Sequence, residues 1–119
     1  MRTSGLDFER IADSNHRIVA VGGEVDLYSA PALEQVLGEE ADSGAPIVVD
    51  LTGCSYFDSS GLNVLLRLRK ALGYAYPIVA PRAAAARRLF ELAHVEELFA
   101  LYETRGDAVA AEVEQTSSD

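Results

Sequence analysis

The chain has 119 residues, with 19 Asp and Glu against 10 Lys and Arg, and a formal charge of −9. Its length is that of one domain, set at 1–119, and a hydrophobic fraction of 49% argues for a core and against disorder of the whole chain. The acidic balance speaks against nucleic acid and anionic membrane surfaces, whose attraction for proteins comes from Lys and Arg, and the one cysteine excludes an internal disulfide.

No run approaches the roughly 18 apolar residues of a membrane span. The start, MRTSGLDFER, is charged and has no apolar stretch, so a secretion signal is not expected. With a single free thiol, the expected location is the cytoplasm.

Leu6, Phe8 and Ile11 follow a roughly alternating pattern, and Ile18, Val19 and Val21 are β-branched. Asp13-Ser14-Asn15 between them is turn chemistry, so the two runs predict a hairpin. Gly22-Gly23 interrupts or bulges its second strand, and Glu24-Val25-Asp26-Leu27 leaves it. Asp26 and Ser29 are alternative caps for a helix with Pro31 in its first turn and Leu33, Val36 and Leu37 at helical spacing, ending near Gly44-Ala45-Pro46. Ile47 to Leu51 is a continuous apolar run with one acid, the pattern of a central strand covered on both faces. Thr52-Gly53-Cys54-Ser55 reads as a loop.

Asp58-Ser59-Ser60-Gly61 then opens a helix with a Leu62, Leu65, Leu66 and Leu72 stripe, opposite Asn63, Arg67 and Lys70, and Gly73 stops it. Residues 76–80 predict a short strand. Pro81 is expected to open a helix over 82–92 with an apolar face of Leu89, Phe90 and Leu92. Val95 to Leu101 fits a helical turn followed by a strand, and AVAAEVE a short terminal helix, with QTSSD fraying. Strands alternate with helices, so the fold class is α/β: a central mixed sheet of about five strands, flanked by about four helices, with a hairpin at one edge.

The stretch 47–70 is the most informative for function. A buried strand feeds a helix that starts Asp-Ser-Ser-Gly, which presents a serine hydroxyl where the first backbone N–H groups have no helical partner. Those groups suit either a serine or aspartate cap or a phosphate on the serine.

GEVDLYSAPAL at 23–33, VVDLTGCSYFDSSGLNVLL at 48–66 and PRAAAARRLFELA at 81–93 together resemble the anti-anti-sigma factors of bacterial partner-switching systems, which are STAS domains. The resemblance covers nearly the whole chain and implies a STAS-type fold. It implies an anti-sigma factor antagonist that binds, when unphosphorylated, an anti-sigma factor that is also a serine kinase, and so releases a sigma factor. By position the phosphorylated serine is Ser59, with Asp58 the motif acid and Ser60 its unmodified neighbour. The resemblance places Glu24 and Asp26 beside it on a partner-binding surface that also takes in Gly61 and Asn63. It further implies a PP2C-type phosphatase as second partner, no cofactor, no metal, and, from the charge, a monomer. Two positions depart from the pattern: Asn63 stands where many members have glycine, and His94 replaces a common glycine. A scaffold role in a stress-sensing or lipid-transport complex is the alternative that STAS membership leaves open.

Other chemistry finds little support. A serine nucleophile needs a base, and the histidines, His16 and His94, are remote in sequence, with no GxSxG elbow around Ser59. Cys54, the histidines and the carboxylates show no metal-ligand spacing, and no GxxxxGK[ST] loop is present for a nucleotide. The arginines at 82, 87 and 88 and at 67 and 69 read as solvated, ion-paired faces, and the five tyrosines are scattered.

Overall fold

The computed structural model describes residues 2–3, 5–13 and 15–117. Its strands lie in one sheet in chain order: β1 (Arg2–Thr3), β2 (Leu6–Asp13), β3 (His16–Val25), β4 (Ile47–Phe57), β5 (Pro77–Val79) and β6 (Ala100–Tyr102). β1, β2 and β3 are antiparallel neighbours, and β3 to β6 run parallel. The mixed sheet therefore has five strands of three residues or more, as expected, with the two-residue β1 added beyond the hairpin. The hairpin closes with Asp13 opposite His16, and Asn15 takes the left-handed φ of 72° that its type tolerates. Ser14 of the predicted turn lies outside the described residues.

Four helices follow the alternation: α1 (Ala30–Ala41), α2 (Ser59–Leu72), α3 (Ala85–Leu92) and α4 (Arg105–Ser117). The period of two divides the strands between two layers. Leu6, Phe8, Val19, Val21, Val49 and Leu51 join Leu33, Leu37, Leu65 and Phe90 in the main core, so α1, α2 and α3 share one face. Ile18, Val48 and Val79 point the other way and pack with Ala108 of α4. The first five residues of β4 are all buried, because both layers cover that strand. Tyr76, fully buried, satisfies its hydroxyl by donating to the Leu65 carbonyl at 2.6 Å, and α2 ends at Gly73 with φ 83°. The segment 95–101 resolves into a short 3-10 turn, Glu96–Leu98, followed by β6.

Three expectations are corrected. Thr52-Gly53-Cys54-Ser55 is strand, not loop: parallel pairing with β3 continues to Val25 opposite Phe57. It continues through two irregularities, where Ala20 to Gly22 spans Asp50 to Gly53 and Gly23 to Glu24 spans Cys54 to Tyr56. The extra residues sit on β4, so the bulge signalled by Gly22-Gly23 is borne by the partner strand. The α3 helix starts at Ala85; Pro81 instead opens a turn closed by the Ala84 N–H on the Pro81 carbonyl at 2.8 Å. Leu92 is 69% exposed, since it lies two residues, hence about 200° around the helix, from buried Phe90. At the C-terminus α4 runs to Ser117, and Ser118 and Asp119 of the expected frayed end lie outside the described residues.

Candidate functional site

Two strand ends and one helix start meet at the C-terminal edge of β3 and β4. Glu24 is opposite Tyr56 and Val25 opposite Phe57. The chain then turns at Asp58, whose N–H donates to the Val25 carbonyl at 3.2 Å. Asp58 has extended backbone, and its Oδ1 accepts the Ser60 N–H at 2.9 Å. That is a side-chain N-cap of the kind that stabilises a helix by about 1 kcal/mol. Asp58, one of the two caps the sequence allowed at this helix start, thus takes the role and leaves Ser59 free of it.

Ser59 is the first helical residue and is exposed, and its hydroxyl makes no hydrogen bond among the described residues. Ser60 is half-buried, and Asn63 is exposed one turn along. Gly61 is buried, and its lack of a side chain is what seats the helix: a Cβ there would lie 2.6 Å from Val25 Cγ1 and 2.8 Å from the Phe57 ring. Phe57 in turn packs edge-on against Phe90 of α3, with ring centres 6.0 Å apart. The exposed serine therefore stands on a rigid apolar base.

The second wall is the segment after β3. The Asp26 carboxylate accepts the N–H groups of Tyr28 and Ser29, each at 2.9 Å. The Ser29 hydroxyl accepts the Asp26 N–H and donates to the Glu24 carbonyl, both at 2.9 Å. Ser29 is fully buried and is the N-cap residue of α1 by position, but its side chain makes no cap bond. Asp26 and Ser29, the alternative caps, instead lock each other into one tight turn. The Ser29 N–H is the largest of the hydrogen bonds that hold the Asp26 carboxyl below its ordinary value, so it is ionised at neutral pH. Gly23, just before, has φ 89°, and a Cβ there would come within 2.1 Å of the Gly5 carbonyl oxygen, so only glycine fits.

Tyr56 links the two walls. Its hydroxyl lies 3.4 Å from Asp58 Oδ2. The Asp58 charge pushes the Tyr56 hydroxyl pKa up, with lost hydration, the hydrogen bond, Asp26 and Glu24 adding in the same direction. One tyrosine thus senses all three carboxylates. Among the described residues none of the three is ion-paired with Lys or Arg, whereas Glu34, Glu39, Glu40 and Glu103 are. An exposed serine hydroxyl thus stands at a helix N-terminus directly after Asp58, one of three carboxylates with no cation paired to them among the described residues.

The structure brings Glu24, Asp26, Asp58, Ser59, Ser60 and Gly61 to this one edge, with Asn63 beside them. Sequence reasoning missed Tyr56, Leu27 and Tyr28. The signal for Tyr56 was its place two residues before the capping acid on a strand. His16 is eight residues of β3 from Glu24, about 26 Å of extended chain, so it is no base for Ser59. Among the described residues no group of three or more His, Cys, Asp or Glu is placed to hold a metal ion. No helix among them is long and apolar enough to cross a membrane. Arg67 pairs with Glu34 at 2.6 Å, and Arg87 with Glu91 and Glu103, as expected of ion-paired faces.

A family model described as STAS domain matches residues 8–108. The anti-sigma-F factor antagonist RsfB of Mycobacterium tuberculosis is 33% identical over 102 residues, covering 83% of this chain and 84% of its own. The anti-sigma-B factor antagonist of Staphylococcus epidermidis is 41% identical over 68 residues, 56% of this chain and 63% of its own. The crystal structure of an anti-sigma factor antagonist from Mycobacterium paratuberculosis superposes with a TM-score of 0.83 at 32% identity, covering 89% of this chain and 92% of that one.

Proposed function

The chain belongs to the STAS domain family, and from that membership and the geometry of its acidic edge we propose that it is an anti-sigma factor antagonist switched at Ser59. In its unphosphorylated form it binds an anti-sigma factor that is also a serine kinase, and so frees a sigma factor. The kinase then transfers a phosphate to Ser59, and a PP2C-type phosphatase removes it. The chain itself catalyses nothing and needs no cofactor.

The observation that carries this reading is the exposed Ser59 hydroxyl at the first position of α2, beside three carboxylates without a cationic partner among the described residues. A phosphate there adds about −1.5 to −2 charges. The helix N-terminus tolerates the added anion, so the fold need not change. The docking face, by contrast, becomes more negative at its centre. A partner that matches Glu24, Asp26 and Asp58 with its own polar groups would meet a charge it was not built for. A loss of about 2.7 kcal/mol, modest for a desolvated charge mismatch, is a 100-fold loss of affinity.

The test is intact-mass spectrometry after incubation with candidate anti-sigma factor kinases and ATP, on the wild-type chain and on Ser59→Ala. One added phosphate on the wild type and none on the variant supports the switch. A phosphate retained in Ser59→Ala moves the acceptor to another residue and contradicts it. Stable binding with no phosphate at all points to a scaffold role.

A further inference from the structure

Tyr28 and Leu27 are the two most exposed large apolar side chains of the described residues, 83% and 70% exposed. Their turn is fixed at both ends. The Asp26 carboxylate holds the Tyr28 and Ser29 N–H groups, and the buried Ser29 hydroxyl ties Asp26 to the Glu24 carbonyl. Two apolar side chains are therefore presented to water by a rigid turn, with little conformational entropy left to lose when something covers them. Leu27 also walls a groove of about 220 Å³ between α1 and α2, with Pro31, Glu34, Ser60, Asn63 and Arg67. The groove thus begins one residue from Ser59.

The rim of this patch carries the charge. Asp26 directly precedes Leu27, and the Tyr56 hydroxyl feels the charges of Asp58, Asp26 and Glu24 together; no cation is paired to these three among the described residues, while Glu34 in the groove is balanced by Arg67. A second copy of the chain would bring the same carboxylates face to face, on a molecule of net charge −9. The complement is an apolar pocket rimmed by Lys or Arg.

We propose that Leu27 and Tyr28 are the anchor by which an anti-sigma factor grips this chain, through an apolar pocket rimmed with basic side chains. The inference rests on the reading that the chain binds such a factor. It divides the surface into an anchor that supplies affinity and a serine that supplies the switch. Exposed tyrosine and leucine on a rigid turn, once enclosed, have the makings of a binding hot spot. Because neither side chain hydrogen-bonds the Ser59 hydroxyl among the described residues, removing them weakens substrate capture by the kinase without slowing phosphate transfer within the complex.

The experiment is a calorimetric titration of purified anti-sigma factors from the source genome with the wild-type chain, the double variant Leu27→Ser/Tyr28→Ser, the apolar-conserving Leu27→Met/Tyr28→Phe, and Ser59→Asp. Phosphorylation kinetics and sedimentation of the chain alone accompany it. The Ser/Ser variant is expected to melt like the wild type, since both side chains are already in water. Its affinity is expected to fall 10- to 100-fold and its KM as a kinase substrate to rise with kcat kept. The Met/Phe variant is expected to bind like the wild type. Wild-type affinity in the Ser/Ser variant, while Ser59→Asp binds weakly, overturns the anchor and leaves the functional reading standing. No binding of the wild-type chain to any factor overturns both. A dimer of the chain alone that the Ser/Ser variant abolishes assigns the patch to self-association and overturns the anchor.

Discussion

Two aspartates, Asp50 inside β4 and Asp58 just past its end, are treated in opposite ways. Asp50 is 5% exposed, on the α4 side of the sheet. Its Oδ1 accepts both the Thr52 N–H and the Thr52 hydroxyl, and its Oδ2 accepts from Arg105 Nε. Burial alone would raise this carboxyl, but the Thr52 hydroxyl and the Arg105 guanidinium together outweigh it and hold it below its ordinary value. Asp58, just past the strand's last residue, caps α2 at the surface and meets a tyrosine where Asp50 meets an arginine. The buried charge is neutralised within the fold, because an unpaired one would cost several kcal/mol. The half-buried charge at the surface is left without a cation where water still reaches it, which is also where a partner can read it.

The largest effect is expected at the acidic edge. Ser59→Asp is expected to lose at least about 100-fold in affinity for the anti-sigma factor, measured by calorimetry, with an unchanged melting temperature. A variant that binds as tightly as the wild type would remove the charge from the mechanism. Gly61→Ala is expected to cost about 1–3 kcal/mol in denaturant unfolding, because Val25 and Phe57 must yield to the new methyl group.

At the buried end, Arg105→Gln is expected to cost about 1–2 kcal/mol at neutral pH, since Arg105 is partly exposed and solvent dampens the pair. The sign of the pH dependence follows from the lowered Asp50 carboxyl. Its contribution is full above the unfolded value of 3.8 and is lost as pH falls through the folded value. The difference between Arg105→Gln and wild type should therefore shrink as unfolding is followed below pH 3.8. A gap that widens in acid would contradict the pairing. The smallest effect is expected at His94, which holds φ 56° where glycine would be unstrained. His94→Gly should raise stability by about 0.5–1 kcal/mol in the same unfolding assay.

Much of this was legible in the sequence because local chemistry and tertiary packing agree. Leu6 to Val21 alternate as strands and pair as a hairpin, Gly73 ends α2 in a left-handed turn, and Ile47 to Leu51 is buried on both faces. The failures fall where non-local contacts decide. Thr52 to Ser55 has turn composition, yet its backbone keeps pairing with β3 because bulges absorb the mismatch. Leu92 fits an apolar pattern but points to solvent, since α3 buries only Ala86 and Phe90 fully. At the site, the acids and serines were readable as a motif. Tyr56, Leu27 and Tyr28 were not, because their roles come from which neighbours the folded edge gives them. Cys54, in the same stretch read as a loop, is 5% exposed within β4 with its thiol pushed up to about 12 by burial, and so is inert near neutral pH.

The charge switch at Ser59 is decided by one titration made twice. The anti-sigma factor is titrated with the chain carrying phosphate on Ser59 and with the chain lacking it, at low and at high salt. A charge switch on an uncompensated acidic edge predicts much weaker binding of the phosphorylated form, with the gap narrowing as salt screens the site. Equal affinities for the two forms would contradict it.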